Sequence, residues 1–162
     1  MDAAGVYLRY APAVRGYLRG NGVIDADDVL SEVFLQVARS LPRFRGDDDH
    51  LRAWVFAIAR NRVVDGHRHR ASRPAIADVP VPDRAAPLAS EPLDAELVAA
   101  LLQLTPDQRE VVALRFVADL SLEEVASITG RTEGAVKSMQ HRALAQLARI
   151  LGAPVSAEDG DG

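Results

Sequence analysis

Ser121-Leu-Glu-Glu-Val-Ala-Ser-Ile-Thr-Gly-Arg-Thr-Glu-Gly-Ala-Val-Lys-Ser138 is the stretch that decides the fold. Ser121 and Glu124 have the spacing of a capping box, so a helix starts there with its first N–H groups satisfied by side chains. That helix is short and ends near Thr129-Gly130. Thr132-Glu133 then opens a longer one that runs to about Leu151. Short helix, glycine-containing turn and longer helix form a helix-turn-helix. Just upstream, Thr105-Pro106-Asp107-Gln108 is a further capping box, with proline at the first helical position, where its missing N–H costs nothing.

Moving towards the N-terminus, the helical pattern stops. Pro74, Pro80, Pro82, Pro87 and Pro92 account for five of the nine prolines in the chain. Each removes a donor and pushes its predecessor out of the helical region, so the stretch is expected to be an extended tether. We place the domain boundary there: residues 1–73 form one domain, 74–92 a linker, 93–151 a second domain, and 152–162 an acidic flexible tail.

The first domain suggests three helices. Residues 3–19 are amphipathic and stop at Gly20-Asn21-Gly22. Asp25-Ala26-Asp27-Asp28 places acids at the positive end of the next helix, whose Val29, Leu30, Val33, Phe34, Val37 and Leu41 recur at helical spacing until Pro42. Asp47–Asp49 open a third, from about His50 to Arg70, with Leu51, Trp54, Val55, Ile58 and Val63 to bury. The fold class expected is all-α, in two small helical domains. Composition agrees: 48% of residues are hydrophobic but only 5% aromatic, so core volume must come from Ala, Val and Leu, which suits close-packed helices.

The charge is unevenly spread. The chain carries −4 overall, yet residues 43–73 hold eight arginines against four aspartates, while 74–103 hold one arginine against five acids. A single basic segment in an acidic chain predicts weak DNA binding alone and strong binding when a larger partner adds affinity. Cysteine is absent, which excludes disulfides, thiolate metal sites and a catalytic thiol. Arginines 9, 15 and 19 interrupt the N-terminal stretch, no secretory signal is evident, and no apolar run nears the roughly 20 residues of a membrane span, so a cytoplasmic protein is expected.

Two stretches resemble the same family. Asp25-Ala-Asp-Asp-Val-Leu-Ser-Glu-Val-Phe-Leu-Gln36 followed by Leu51-Arg-Ala-Trp-Val-Phe-Ala-Ile-Ala-Arg-Asn-Arg-Val-Val-Asp65 is similar to region 2 of bacterial RNA polymerase sigma factors. Leu104-Thr-Pro-Asp-Gln-Arg-Glu-Val-Val-Ala-Leu-Arg-Phe116, with Leu120–Ala126 and Gly134–Ser138, is similar to region 4. Their order, with no domain between, resembles the extracytoplasmic-function (ECF) sigma factors. The resemblance implies an initiation factor that directs core polymerase to promoters and promotes DNA opening, with core polymerase (clamp and flap regions) and promoter DNA as partners. An anti-sigma factor is a further possible partner, and no cofactor, metal or catalytic residue is implied.

Residue by residue, the resemblance assigns Asp28, Val29, Glu32, Val33 and Gln36 to docking on the polymerase clamp. The residue-level alternative is an ordinary solvated face. Arg43, Arg45, Trp54, Arg60, Asn61, Arg62, Arg68 and Arg70 fall to the −10 element and its melting. Arginines neutralise phosphates, Asn61 can bond a base edge, and unpaired bases need a platform or pocket. Trp54, flanked helically by Leu51, Val55 and Ile58, fits a core anchor equally well. Glu133, Lys137, Ser138, Met139, His141 and Arg142 lie on the expected −35 recognition helix, with Arg115 and Arg131 as backbone contacts. Val136, Ala143 and Leu147 keep core spacing. The chain departs from the family pattern at Met139, where arginine is usual, and at Gln140, where leucine usually packs.

Two rival functions remain. A stand-alone helix-turn-helix regulator would use the second domain only and have no need of an arginine-rich helix joined to an acidic docking helix. A sigma-like adaptor would contact proteins without opening DNA. A metal site at His67 and His69 is disfavoured because residues two apart on a helix face different ways.

Overall fold

The computed structural model describes residues 2–72 and 95–152. The proline-rich stretch 74–92 and the tail beyond Gly152 lie outside the described residues. All regular structure among them is helical, as expected for the all-α class: α1 (Ala3–Gly20), α2 (Ala26–Ser40), α3 (Asp48–Ser72), α4 (Ala95–Leu101), α5 (Pro106–Val112), α6 (Leu122–Thr129) and α7 (Glu133–Leu151). A 3-10 turn at Leu41–Arg43 follows α2, and a π-helical turn at Ala113–Val117 follows α5.

Capping chemistry sets the boundaries. Asp2 accepts the Gly5 N–H at 2.9 Å to start α1. The helix then passes through Pro12 and stops at Asn21, after which Gly22 takes a φ of +84°. Only a glycine adopts that backbone without strain, and a β-carbon there would also press on Leu102 at 3.2 Å. Asp47 accepts the His50 N–H at 3.0 Å and opens α3. In the second half, Thr105 with Gln108 and Ser121 with Glu124 form both expected capping boxes. Thr132 accepts the Ala135 N–H at 3.0 Å at the start of α7. Each such cap stabilises by about 1 kcal/mol. Gly130, at φ +70°, ends α6.

Helix spacing dictates which faces meet. On α2, Ala26, Leu30, Val33, Phe34 and Val37 turn inward against α1 and α3. On α3, Leu51, Val55, Phe56, Ile58, Ala59 and Val63 are buried. α5 and α6 both pack on α7, and α4 closes the end of that group. The main core is continuous across the two halves: Val14, Tyr17, Leu18, Val33 and Phe56 join Val111, Leu114, Leu120, Val125 and Val136 in one cluster. A smaller cluster of Ala100, Leu101, Leu104, Val112, Ala143 and Leu147 holds α4, α5 and α7 together. Full burial of a Leu or Phe side chain is worth roughly 1.5–3 kcal/mol, so this packing, more than intrinsic propensity, fixes the helices.

Candidate nucleic-acid interface

Four residues of the acidic face of α2 reach the surface. Asp28 and Glu32 are exposed, and Val29 and Gln36 are half-buried. Val33 is a correction to the expected docking set. It is fully buried in the main core, so its side chain supports the helix from beneath. Arg62 of α3 ties the two helices together: it donates to the Gln36 Oε1 at 3.2 Å and lies 3.6 Å from Glu32.

Arg43 and Arg45 sit exposed in and after the 3-10 turn. Arg45 curls onto its own loop, donating to the Phe44 carbonyl at 3.0 Å. Gly46 turns the loop with φ +146°, where a β-carbon would meet the His50 β-carbon at 2.8 Å. His50 is also held by Asp47, Nδ1 to Oδ1, at 2.6 Å. That bond lifts the imidazole above its ordinary value of 6.5. The Asp47 carboxyl is lowered, first by the His50 backbone N–H that it accepts and then by the bond to the imidazole. Trp54 is half-buried against the core, with its ring 5.0 Å from that of Phe44. It is thus a core-flanking side chain with one face towards the loop, and Phe44 is an aromatic partner that sequence reading passed over.

The arginines of α3 are not equivalent. Asn61 and Arg68 are exposed, whereas the Arg70 side chain lies outside the described residues. Arg60 points across to the second half, where its Nε donates to Glu110 at 2.5 Å and its Nη1 to the Ile128 carbonyl at 3.3 Å. In this arrangement its guanidinium is committed to protein. Glu110 is buried, and its contact with Arg60 is what makes that burial tolerable. Helical spacing to Leu114, four residues on, was the signal in the sequence that Glu110 faces inward. Directly beside the pair, the buried Tyr17 hydroxyl has no hydrogen-bond partner among the described residues, and desolvation reinforced by the Glu110 charge raises its pKa strongly.

In the helix-turn-helix, α7 shows one outward row. Glu133, Lys137, Ser138, His141 and Arg142 are exposed, and Val136, Ala143 and Leu147 are buried, as their spacing predicts. Met139 is half-buried and packs on the main core. Arg131 pairs with Asp107 at 3.1 Å. Arg115 is half-buried: its Nε donates to Gln140 Oε1 at 2.9 Å and its Nη1 to the Leu120 carbonyl at 2.7 Å. Arg109, whose pKa is lowered by burial, donates to the carbonyls of Leu101, Leu102 and Leu104 and so closes the end of α4. Among the described residues no group of three or more His, Cys, Asp or Glu could hold a metal ion.

Comparison with known proteins identifies the family. The sigma-70 region 2 family matches residues 6–73, and the sigma-70 region 4 family matches residues 94–147. The RNA polymerase sigma factor CarQ of Myxococcus xanthus is 37% identical over 154 residues, covering 91% of this chain and 87% of CarQ. The ECF RNA polymerase sigma factor BldN of Streptomyces coelicolor is 35% identical over 161 residues, covering 93% of this chain. The chain belongs to the ECF sigma factors. It spans 61% of the length of BldN. The sigma factor RpoE of Bartonella quintana, solved in complex with the anti-sigma factor NepR, has the same fold, with a TM-score of 0.76, 26% identity and coverage of 92% of this chain and 96% of that one.

As a sigma factor, the protein acts in transcription initiation, and the resemblance read from two short stretches extends over most of its length. Its region 2 and region 4 halves meet through the shared core and through Arg60, which reaches Glu110 and the end of α6. No described helix is long and apolar enough to cross a membrane.

Proposed function

We propose that this sigma factor directs core RNA polymerase to specific promoters and assists strand opening, with no catalytic activity of its own. Residues 1–73 serve docking and the −10 element, residues 93–151 serve the −35 element, and 74–92 link them. Asp28, Val29, Glu32 and Gln36 form the surface for the polymerase clamp. Asn61 and Arg68, with Arg43 and Arg45 on the neighbouring loop, supply the strand-separating side. Lys137, Ser138, His141 and Arg142, flanked by Glu133, read the upstream element, and the region 4 half meets the polymerase flap. An anti-sigma factor is a further partner, supported by the likeness to the NepR-bound RpoE. The site of action is the cytoplasm, where polymerase works.

One observation carries this reading. The acid-faced helix α2 and the arginine helix α3 are joined by Arg62, in a chain that also folds an outward-reading helix-turn-helix. An independent regulator has no use for the first of these. The test is transcription from promoter fragments with purified core polymerase. Reversing charge at Asp28 and Glu32 should weaken holoenzyme assembly by about 1–3 kcal/mol, roughly five- to 150-fold. Asn61→Ala should slow opening of duplex promoter and spare a pre-melted template, because its base contact exists only after unpairing. Tight, sequence-specific binding by the isolated chain at physiological salt would overturn the proposal in favour of a stand-alone regulator.

A further inference from the structure

The recognition helix carries an amide where a core side chain belongs. Val136, Gln140, Ala143 and Leu147 fall at intervals of four, three and four residues, the stripe that a helix turns towards its neighbours. Three of the four are buried and apolar, and Gln140 is half-buried. A polar group on that stripe costs stability unless it is bonded. Gln140 is bonded: its Oε1 accepts Arg115 Nε at 2.9 Å.

Arg115 is well placed to transmit this contact. It lies in the π-helical turn Ala113–Val117, and its Nη1 donates to the Leu120 carbonyl at 2.7 Å, one residue before the Ser121 cap of α6. Between them, Asp119 holds a φ of +60°, an uncommon backbone for a residue with a side chain. The Leu120 N–H also returns to the Leu114 carbonyl at 3.1 Å. One guanidinium therefore bridges α7 to the bent segment that leads into α6. Its planar fork makes both bonds directional. An aliphatic side chain at 140 would pack without fixing any direction.

The neighbouring position completes the arrangement. Met139 packs on the main core, so the apolar contact on this flank is made from 139 while 140 makes the polar one. The exposed row is then Lys137, Ser138, His141 and Arg142, each one or more positions away from the bonded pair.

We propose that Gln140 is a positioning residue for promoter selectivity: through Arg115 it fixes the roll of α7 against the turn before α6, and so sets how Lys137, Ser138, His141 and Arg142 meet the upstream element. Gln140 touches no DNA itself. Arg115 is assigned to this bridge in place of the backbone contact expected for it. The inference rests on the reading of α7 as the upstream-element reader.

The experiment measures holoenzyme discrimination between the preferred upstream element and single-base variants of it. Gln140→Leu and Arg115→Ala should each lower discrimination by on the order of tenfold, the scale of one misplaced base contact. The double variant should lose no more than either single one, since both remove one bridge. Gln140→Glu keeps the acceptor and should retain wild-type discrimination. Thermal unfolding and core-polymerase affinity are measured alongside. A loss of discrimination that tracks lost stability, or losses that multiply in the double variant, would overturn the positioning role. Unchanged discrimination in Gln140→Leu, while Lys137→Ala or Arg142→Ala abolishes it, would overturn this inference and leave the reading of α7 intact. If Lys137→Ala and Arg142→Ala also change nothing, that reading fails and the inference falls with it.

Discussion

The ion pair between Arg60 and Glu110 allows a quantitative test of how the two halves are held. The Arg60 side chain is 24% exposed and that of Glu110 11%, so water screens the pair little. Removing one member of a fully buried pair costs about 3–5 kcal/mol, because the survivor is left charged and dry. Partial exposure of the guanidinium lowers that figure, so Glu110→Ala should cost roughly 2–3 kcal/mol. Arg60→Ala should cost a similar amount, since it strands Glu110 beside the neutral Tyr17 hydroxyl and also removes the donor to the Ile128 carbonyl. The double variant Arg60→Met/Glu110→Leu replaces charge with apolar volume and should recover at least about 1 kcal/mol of the summed single losses. Urea unfolding in low and high salt reads all three values, and the cost should change little with salt. Single losses below about 0.5 kcal/mol, or additivity in the double variant within that margin, would refute the argument.

Two further outcomes are open to direct measurement. The imidazole of His50, raised by Asp47 with smaller contributions from Glu124 and Asp49, should titrate above 6.5 by NMR, and Asp47→Asn should return its midpoint towards that value. By linkage, the His50 contribution is complete below pH 6.5 and fades as pH rises through the raised value. The Asp47 contribution is present above its ordinary 3.8 and fades as pH falls through the lowered value. Identical His50 midpoints in the two proteins would remove the bond from the account. Met139→Arg should select the same upstream sequence as the wild type and cost about 1 kcal/mol of stability, because residue 139 packs on the core. A newly selected guanine would show instead that position 139 reaches the DNA.

Much of the fold was legible in local chemistry. Ser121 with Glu124, Thr105 with Gln108 and Thr132 announced three helix starts because each cap is a contact between residues close in sequence. The buried stripe of α7, Val136, Ala143 and Leu147, followed from its spacing, whereas Met139, grouped with the DNA-facing residues by resemblance, packs on the core. What the sequence concealed was contact between distant residues. Nothing near Arg60 in the chain announces Glu110, fifty positions on, so Arg60 was grouped with the other arginines of α3, whereas its guanidinium bonds to Glu110. Val33 was placed on a docking surface because it shares a helix with Asp28 and Glu32, although its spacing with Leu30 and Val37 already pointed to the core. α4 and the π-helical turn were not marked out in the sequence reading; α4 packs on α7 and α1, and the π-helical turn packs on α5 and α1.

The continuous core has a thermodynamic consequence for whatever must separate the halves. Tyr17, Val111 and Leu114 are fully buried in the same cluster, so parting the two domains exposes apolar surface to water on both sides. If the halves part, the joined and parted forms are two populations in equilibrium. A partner that recognises only the parted form binds with its intrinsic affinity scaled down by the parted fraction, whereas one that recognises the outer face of α2 meets no such penalty. Substitutions at the seam, far from any contact with DNA or polymerase, would therefore tune apparent activity in either direction by changing that fraction alone.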